Sequence, residues 1–255
     1  MPQGVSDFGI TGDEAEPRRR LSAREREEGP DPRLRLAAAL RRVIRLTVGG
    51  EIDGANLDSA ARSAASLADS LEAAAHPGVR FRPAPDIDGD PQDFFPTSPV
   101  IGFANPIAPP VEIEVVEGEI RGRVTFGDPY EGPPGHAHGG MLALVLDELL
   151  GAANLVAGLP CMTGTLTIEY RRPTPLHTPL VVQARNVRRD GRKIYSWGGI
   201  FLGNELTAEA EGIFISVSPQ QFAEMAKRRA VPDHLAQIVG DVEQKVASRS
   251  ADGRE

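Results

Sequence analysis

The run from Gly139 to Ala157 constrains the fold of this 255-residue chain more than any other segment. It reads GGMLALVLDELLGAANLVA, a helical pattern that is apolar nearly all round. Runs of alternating apolar and polar residues flank it. Two precede it, VEIEVV and EIRGRVTF, and four follow it: TGTLTIEYR, LVVQARNVRR, KIYSWGGIFL and LTAEAEGIFISV. Because a sheet has one apolar face to cover and such a helix must be enclosed, we expect one sheet to wrap around it.

Short polar dipeptides between these runs indicate tight turns, at Glu117-Gly118, Asp190-Gly191 and Gly203-Asn204. The predicted order is therefore two strands, one long helix and four strands. This α+β arrangement, an antiparallel sheet wrapped around one long central helix, is called the hotdog fold.

Composition divides the chain further. Charged residues dominate the N-terminal tail, which is predicted to be disordered, and prolines exclude a regular helix or a central strand from the lead-in to the sheet. Helical patterns run from about Arg33 to Leu46 and from Ala55 to Ala75. The predicted segments are a disordered tail (1–31), a helical extension (32–82), a proline-rich lead-in (83–110), the hotdog domain (111–218) and a C-terminal helix and tail (219–255).

The charge balance bears on partners and location. With 36 acidic and 28 basic residues the net charge is −8, which argues against nucleic-acid binding through overall charge. The single cysteine, Cys161, excludes an intramolecular disulfide framework and suits a reducing cytosol. The N-terminus has no signal-like apolar region, and no segment offers the roughly 20 uninterrupted apolar residues of a membrane span. A cytoplasmic protein is expected.

The entry to the central helix has the residues of an oxyanion site. The stiff turn EGPPG, at Glu131–Gly135, precedes His136 and His138. Gly139 and Gly140 then open the helix with backbone N–H groups and no side chains in the way. A helix N-terminus stabilises negative charge, including an oxyanion that develops at a substrate carbonyl. A tight turn alone also explains the glycine pair.

Two adjacent acids, Asp147 and Glu148, interrupt the apolar run. Burying an unpaired carboxylate costs several kcal/mol, so either the acids lie on a wet face or one of them is chemically active. Asp147 lies about 12 Å along the helix axis from Gly139, too far for both to meet one substrate atom. A second subunit related by a two-fold axis would supply the missing half. Glu148, about 100° round the helix, is predicted to be a solvated or interface carboxylate.

The wider pattern resembles a known family. GPPGHAHGG, an aspartate nine residues after the histidine, and TGTLTIEYRRPTPL together are similar to the PaaI-type acyl-CoA thioesterases of the hotdog superfamily. The most similar subgroup is that of the human thioesterase-superfamily proteins. The resemblance covers roughly residues 95–218 and implies hydrolysis of a fatty or aryl acyl-CoA to free acid and coenzyme A. It also implies lipid metabolism, no cofactor, and a homodimer or a dimer of dimers.

By this resemblance Asp147 is the general base on water or the nucleophile, and the Gly139 N–H is the oxyanion donor. His138 orients the thioester end, and the Thr163 hydroxyl helps to place the water. One departure is Gly132, at a position where many PaaI-type enzymes have asparagine. The more similar subgroup also has glycine there.

The resemblance further implies substrate contacts at Glu169, Arg171 and Arg192, beside Gly140 and Lys193. The sequence has a basic cluster in two strand segments: Arg171, Arg172, Arg185, Arg188, Arg189, Arg192 and Lys193. The phosphates of coenzyme A would require such a cluster in an acidic protein. The same side chains would also solubilise strand ends.

Several alternatives remain open. His136, His138, Asp147 and His177 lack the spacing of a ligand set, so no metal is predicted. The lead-in from Phe94 covers an acyl tunnel or is a structural loop. A hotdog hydratase or dehydratase would use a histidine and an acid around the second and third substrate carbons. A non-catalytic acyl-CoA-binding protein would use its N-terminal helices to bind a partner.

Overall fold

The computed structural model describes residues 29–75, 95–109 and 111–218. Two helices come first, α1 (Pro32–Gly49) and α2 (Gly54–Ala74). The remaining elements are β1 (Glu112–Val116), β2 (Glu119–Val124), a 3₁₀ turn (Asp128–Tyr130), α3 (Gly139–Val156), β3 (Cys161–Tyr170), β4 (Leu180–Asp190), β5 (Lys193–Leu202) and β6 (Glu205–Ser216). The predicted order of elements is confirmed. The predicted C-terminal helix and most of the predicted disordered tail lie outside the described residues.

The six strands form one antiparallel sheet in the order β1-β2-β4-β5-β6-β3. The three predicted turns are present, and each contains a glycine with positive φ. At the first, Glu117 and Gly118 have φ values of 53° and 79°, as a two-residue hairpin turn requires at both central positions. β3 is an edge strand that pairs with β6 alone among the described strands, and most of its residues are exposed.

Helix α3 lies in the concave face of this sheet and contacts five of the six strands. Its fully or nearly fully buried residues are Leu142, Val145, Leu146, Leu149, Leu150, Ala152, Ala153 and Asn154. They form one core with the inward residues of the strands, as the sequence predicted. By length and composition α3 is also able to cross a membrane, with a mean hydropathy of 1.5 over 18 residues. Its enclosure by the sheet accounts for that composition.

The segment from 95 to 109 is irregular and packs across α3 before the sheet begins. Val100, Ile101 and Phe103 are buried in the core. Helix α1 holds this segment from outside, since the Arg41 guanidinium donates hydrogen bonds to the carbonyls of Phe103, Asn105 and Ala108. Helix α2, in contrast, is exposed along its whole length.

Candidate active site

The N-terminus of α3 is held by the turn before it and by its own cap. His138 is the N-cap residue, and its Nδ1 accepts a hydrogen bond from the Gly140 N–H at 3.0 Å. The His138 N–H donates to the Tyr130 carbonyl at 2.8 Å, which fixes the direction of entry. Since Nδ1 accepts, it carries no proton, and a neutral ring is protonated at Nε2.

The cap separates the roles of the two glycines. The Gly140 N–H is occupied by His138, whereas the Gly139 N–H has no acceptor among the described residues. The Tyr170 hydroxyl donates to the Gly139 carbonyl at 3.0 Å, so β3 holds the first helical turn in place. Gly139 also lines a cavity of about 520 Å³, with Tyr170 and Arg171 among the other lining residues. One backbone donor of the predicted pair therefore faces an open cavity.

Asp147 lies in a different cavity, of about 600 Å³, on the flank of α3. Its Oδ1 accepts a hydrogen bond from the Thr163 hydroxyl at 2.9 Å, which brings together two of the predicted catalytic residues. Apart from the polar groups at Ser98, Asp147, Glu148 and Thr163, the wall is largely apolar. It includes Phe95, Pro99, Leu155, Leu159, Met162, Phe214 and Val217. A carboxylate with one hydroxyl partner beside an apolar wall can take a proton from water next to a hydrophobic substrate.

Glu148 lines the same cavity as Asp147 and is mostly buried. Of the two expectations, a solvated or an interface carboxylate, the solvated one is wrong, because the lead-in segment covers this side of the helix. Its Oε1 accepts a hydrogen bond from the Ser98 hydroxyl at 2.8 Å. Burial raises the pKa of Glu148, the Ser98 hydrogen bond opposes that rise, and the neighbouring Asp147 charge adds to it. Sequence reasoning did not identify Ser98, since nothing in the pattern pairs it with position 148.

Cys161 also lines the Asp147 cavity. Burial raises the pKa of its thiol to about 11. The thiolate is the nucleophilic form of cysteine, so Cys161 is not poised as a nucleophile near neutral pH.

The residues predicted to contact coenzyme A do not form one patch. Arg171 pairs with Glu169 and Glu209, and its contacts with Glu209 are 2.7–2.8 Å long. Arg192 lies in the β4–β5 turn and Lys193 begins β5, at the opposite end of the sheet. The register gives the distance: Tyr170, next to Arg171, pairs with Ala208, whereas the Arg192 carbonyl accepts from Ser216. Eight residues of β6 separate these points, or about 27 Å at 3.4 Å per residue.

Two arginines of the predicted basic cluster stack on aromatic rings of β5. The Arg188 guanidinium lies 3.5 Å from the Tyr195 ring centroid, and that of Arg185 lies 4.9 Å from the Trp197 centroid. The prediction of a single cluster is wrong within one chain, because antiparallel strands carry the two basic segments to opposite ends.

The imagined metal ligands are also apart. The His177 Nε2 lies 2.8 Å from Asp128, not near Asp147. Across 29–75, 95–109 and 111–218, no group of three His, Cys, Asp or Glu side chains could hold a metal ion.

Comparisons with known proteins fit this geometry. The thioesterase superfamily profile matches residues 134–198, which span the α3 entry, Asp147 and Thr163. The crystal structure of a thioesterase superfamily protein is 37% identical, with a TM-score of 0.66, over 74% of this chain and 92% of that protein. The chain belongs to the thioesterase superfamily. The PaaI-type resemblance inferred from the helix entry is confirmed at this level.

Curated relatives are similar to part of this chain. The acyl-coenzyme A thioesterase THEM4 of Bos taurus is 35% identical over 98 residues, and that of Xenopus laevis 34% over 94 residues. These matches cover 36–37% of this chain. The chain spans about two fifths of the length of these relatives, 40% and 42%.

Proposed function

We propose that this superfamily member hydrolyses the thioester of an acyl-CoA, with Asp147 as the general base or nucleophile. The observation that carries the proposal is the Asp147–Thr163 hydrogen bond of 2.9 Å beside a cavity with an apolar wall. The curated relatives named acyl-coenzyme A thioesterases support the substrate class. The single cysteine fits a cytoplasmic enzyme, and the substrate fits lipid metabolism.

The site is proposed to be shared by two chains. Gly139 and Asp147 line separate cavities, and the two residues lie about 12 Å apart along the α3 axis. Edge strand β3 carries the partner of each: Thr163 bonds Asp147, and Tyr170 bonds Gly139. If two copies of β3 pair antiparallel about a two-fold axis between 166 and 167, Thr163 of one chain faces the partner's Tyr170. Asp147 of one chain then meets the partner's Gly139 at one thioester.

The same symmetry repairs the divided basic cluster. Arg171 lines the Gly139 cavity, whereas Arg192 lies at the Ser216 end of the sheet, beside Val217 of the Asp147 cavity. A two-fold axis through β3 brings one chain's Arg192 towards the partner's Arg171. Two cations from two chains would then hold the phosphates of one coenzyme A. Glu169 acts here through Arg171, which it pairs with, rather than on phosphate.

Hydrolysis follows from these placements. Asp147 takes a proton from a water that Thr163 helps to position, and the water oxygen attacks the carbonyl carbon. The partner's Gly139 N–H stabilises the oxyanion. Collapse of the tetrahedral intermediate breaks the carbon–sulfur bond, and the thiolate takes up a proton to leave as coenzyme A. In the nucleophile route Asp147 itself attacks and water cleaves the resulting anhydride.

The hydratase alternative needs a histidine beside the acid. Within the described residues no histidine of the same chain lines the Asp147 cavity, so a hydratase would have to use the partner's His138, whose Nδ1 already caps its own helix. The non-catalytic alternative would not need the Asp147–Thr163 pair.

The test is a panel of acyl-CoAs of graded chain length, with aryl members, assayed by a thiol-trapping dye. Free coenzyme A should appear with wild type and be nearly absent with Asp147→Asn. The competing hydratase activity is assayed with an enoyl-CoA, whose hydration is monitored by the loss of its ultraviolet absorbance. Tight binding of acyl-CoA without coenzyme A release would replace hydrolysis by the non-catalytic function.

A further inference from the structure

The lead-in segment contributes part of the Asp147 cavity. Phe95, Ser98 and Pro99 line that cavity, and the residues after them are buried in the core. The segment has no regular structure, so neither a helix nor a sheet ladder fixes its position. Its side-chain contacts must do so.

Ser98 is the anchor of the part that faces the cavity. Its hydroxyl donates to Glu148 Oε1 at 2.8 Å and accepts from the backbone N–H groups of Val100 and Ile101, at 3.0 and 3.3 Å. Ser98 itself is 9% exposed. One hydroxyl thus joins the lead-in backbone to the central helix.

This contact gives a reason for a buried acid at position 148. The carboxylate stands beside Asp147, where a second negative charge is unfavourable, and burial raises its pKa. An apolar residue at position 148 would avoid both the burial of a carboxyl group and the repulsion from Asp147. It could not accept the hydrogen bond from the Ser98 hydroxyl. The structure gives Glu148 a positioning role and leaves the proton transfer to Asp147, which Thr163 contacts.

We propose that the Ser98–Glu148 hydrogen bond determines acyl selectivity by fixing residues 95–99 as one wall of the cavity that receives the acyl group. This inference rests on the proposed hydrolysis. The favoured acyl group is apolar, since the wall beyond the carboxylates consists mainly of apolar side chains. A fixed wall rejects longer chains, and a loosened wall admits them.

The experiment compares kcat/KM over an acyl-CoA length series for Ser98→Ala, Glu148→Ala and Glu148→Gln. Both alanine variants should lower the preference for the best chain over a longer one by about tenfold, the effect expected of a lost fit to a methylene group. Glu148→Gln keeps an acceptor oxygen and should keep the wild-type length profile. Thr97→Ala, which removes an exposed hydroxyl one residue away, is the matched control.

Two outcomes overturn the proposal. If the alanine variants lower all substrates by the same factor, the pair does not select acyl length. If Glu148→Gln loses turnover as Asp147→Asn does, Glu148 is a catalytic acid or base rather than a positioning residue.

A readout without turnover separates this proposal from the proposed hydrolysis. Affinities for free fatty acids of graded length are measured in Asp147→Asn, with and without Ser98→Ala, alongside hydrogen exchange at the Val100 and Ile101 amides. Faster exchange together with a broadened length profile supports the wall even if no thioester is cleaved. Faster exchange with an unchanged profile shows a purely structural hydrogen bond and overturns the proposal.

A second, independent observation concerns α2. All of its 21 residues are exposed, including Leu57, Leu67 and Leu71 at 42%, 39% and 46%. On a helix these leucines share one face with the alanines at 60, 61, 64 and 68. Acidic residues lie along one side of that face: Asp58, Asp69 and Glu72. An amphipathic helix of this kind derives its stability from packing on its apolar face, and residues 29–75, 95–109 and 111–218 supply none.

Helix α1 presents a complementary surface. Its outward stripe consists of Ala39, Val43 and Leu46, and the last two are 50% and 38% exposed. Arg42 and Arg45 lie along one side of this stripe, and α1 has no acidic residue. An apolar stripe beside arginines matches an apolar face beside acids.

We propose that α2 of one chain docks on the outward stripe of α1 of a second copy of this chain. The charges select this partner, because acids beside the α2 face would meet arginines beside the α1 stripe. Four residues connect α1 to α2, and among the described residues of its own chain nothing buries the α2 face. A second copy brings the matching surface.

Charge exchange tests the docking. Variant A carries Arg42→Glu and Arg45→Glu, and variant B carries Asp69→Lys and Glu72→Lys. In a dimer of variant A, acids on α2 meet glutamates on α1, and in a dimer of variant B, lysines on α2 meet arginines on α1. In a mixed dimer of A and B, opposite charges meet at both α1–α2 contacts. Hydrogen exchange of the α2 amides should be about tenfold faster in A or B than in wild type and should slow again in the mixture.

Docking on α1 is overturned if the α2 amides are as protected from exchange in A and in B as in wild type. It is also overturned if protection does not return in the mixture. Fast exchange of α2 in wild type at all concentrations overturns docking on a second copy altogether. The double variant Leu67→Ser, Leu71→Ser should lose the protection of its α2 amides, and mixing it with variant A or B should not restore that protection. This result would show that the apolar face of α2 makes the contact.

Discussion

The two cavities along α3 differ in what each lacks. The N-terminal cavity has a backbone donor, Gly139, and an arginine, Arg171, but no carboxylate of the helix. The flank cavity has the acid, Asp147, with a hydroxyl partner and an apolar wall, but no free helix-terminal donor. Under the proposed shared site, each cavity is half of a hydrolytic site. The difference then teaches that one buried helix can serve two sites at once when a symmetry axis exchanges its ends.

Among the predicted changes, Asp147→Asn in the flank cavity should have the largest effect on turnover. Loss of the carboxylate should lower kcat by about 10²-fold or more, as for a general base, while the fold is kept. Glu148→Gln in the same cavity should lower it far less. Steady-state kinetics with circular dichroism of both variants checks the pair, and a greater loss for Glu148→Gln would assign the base to the wrong acid.

Loss of the two arginines proposed to bind phosphate, one at each cavity, should have a smaller effect on activity than loss of Asp147. Arg171→Ala with Arg192→Ala should raise KM for acyl-CoA several-fold and leave KM for a short thioester without the nucleotide nearly unchanged. Glu169→Gln is the control, because it removes a partner of Arg171 and keeps the cation. Equal effects on both substrates would refute phosphate recognition at these residues.

The smallest expected effect is the pH dependence of stability at Glu148. Burial raises its pKa, so the folded state holds more protons than the unfolded state between the ordinary and the raised value. The free energy of unfolding therefore falls as the pH rises through that window. Glu148→Gln has no such loss, so its stability relative to wild type should increase as the pH rises above 4.5. Urea unfolding at several pH values measures this, and a constant difference would mean that the pKa is not raised.

Much of the fold could be predicted because its signals are local. The apolar pattern of α3, the period of the strands and the glycine turns are each contained in a few neighbouring residues. The separation of Gly139 from Asp147 also followed from helix rise alone. The Thr163 contact came from the family resemblance, and the structure brings it to Asp147.

Features that depend on distant packing could not be predicted. Glu148 was expected to be solvated or at an interface because its helix position says nothing about the irregular lead-in, whose Ser98 lies 50 residues earlier. The basic cluster was expected to be single because sequence proximity hides the opposite directions of β3 and β4, whose C-terminal ends lie at opposite ends of the sheet. Tyr170 lies within the TGTLTIEYRRPTPL motif, but the motif does not pair it with Gly139, since that contact depends on how β3 crosses the helix entry.

The shared site is the central claim, and complementation tests it most directly. Asp147→Asn removes the acid, and Gly139→Pro removes the donor N–H while proline remains acceptable at a first helical position. A Cβ at Gly139 would lie 3.3 Å from the Tyr170 ring, so circular dichroism and sizing of that variant come first.

The two inactive variants are then unfolded, mixed in equal amounts and refolded together. Random pairing makes half of the dimers mixed, and each mixed dimer has one site with both defects and one site with neither. The shared site predicts recovery of about a quarter of wild-type activity. If no activity returns although mixed dimers form, each chain carries its own complete site and the account is contradicted.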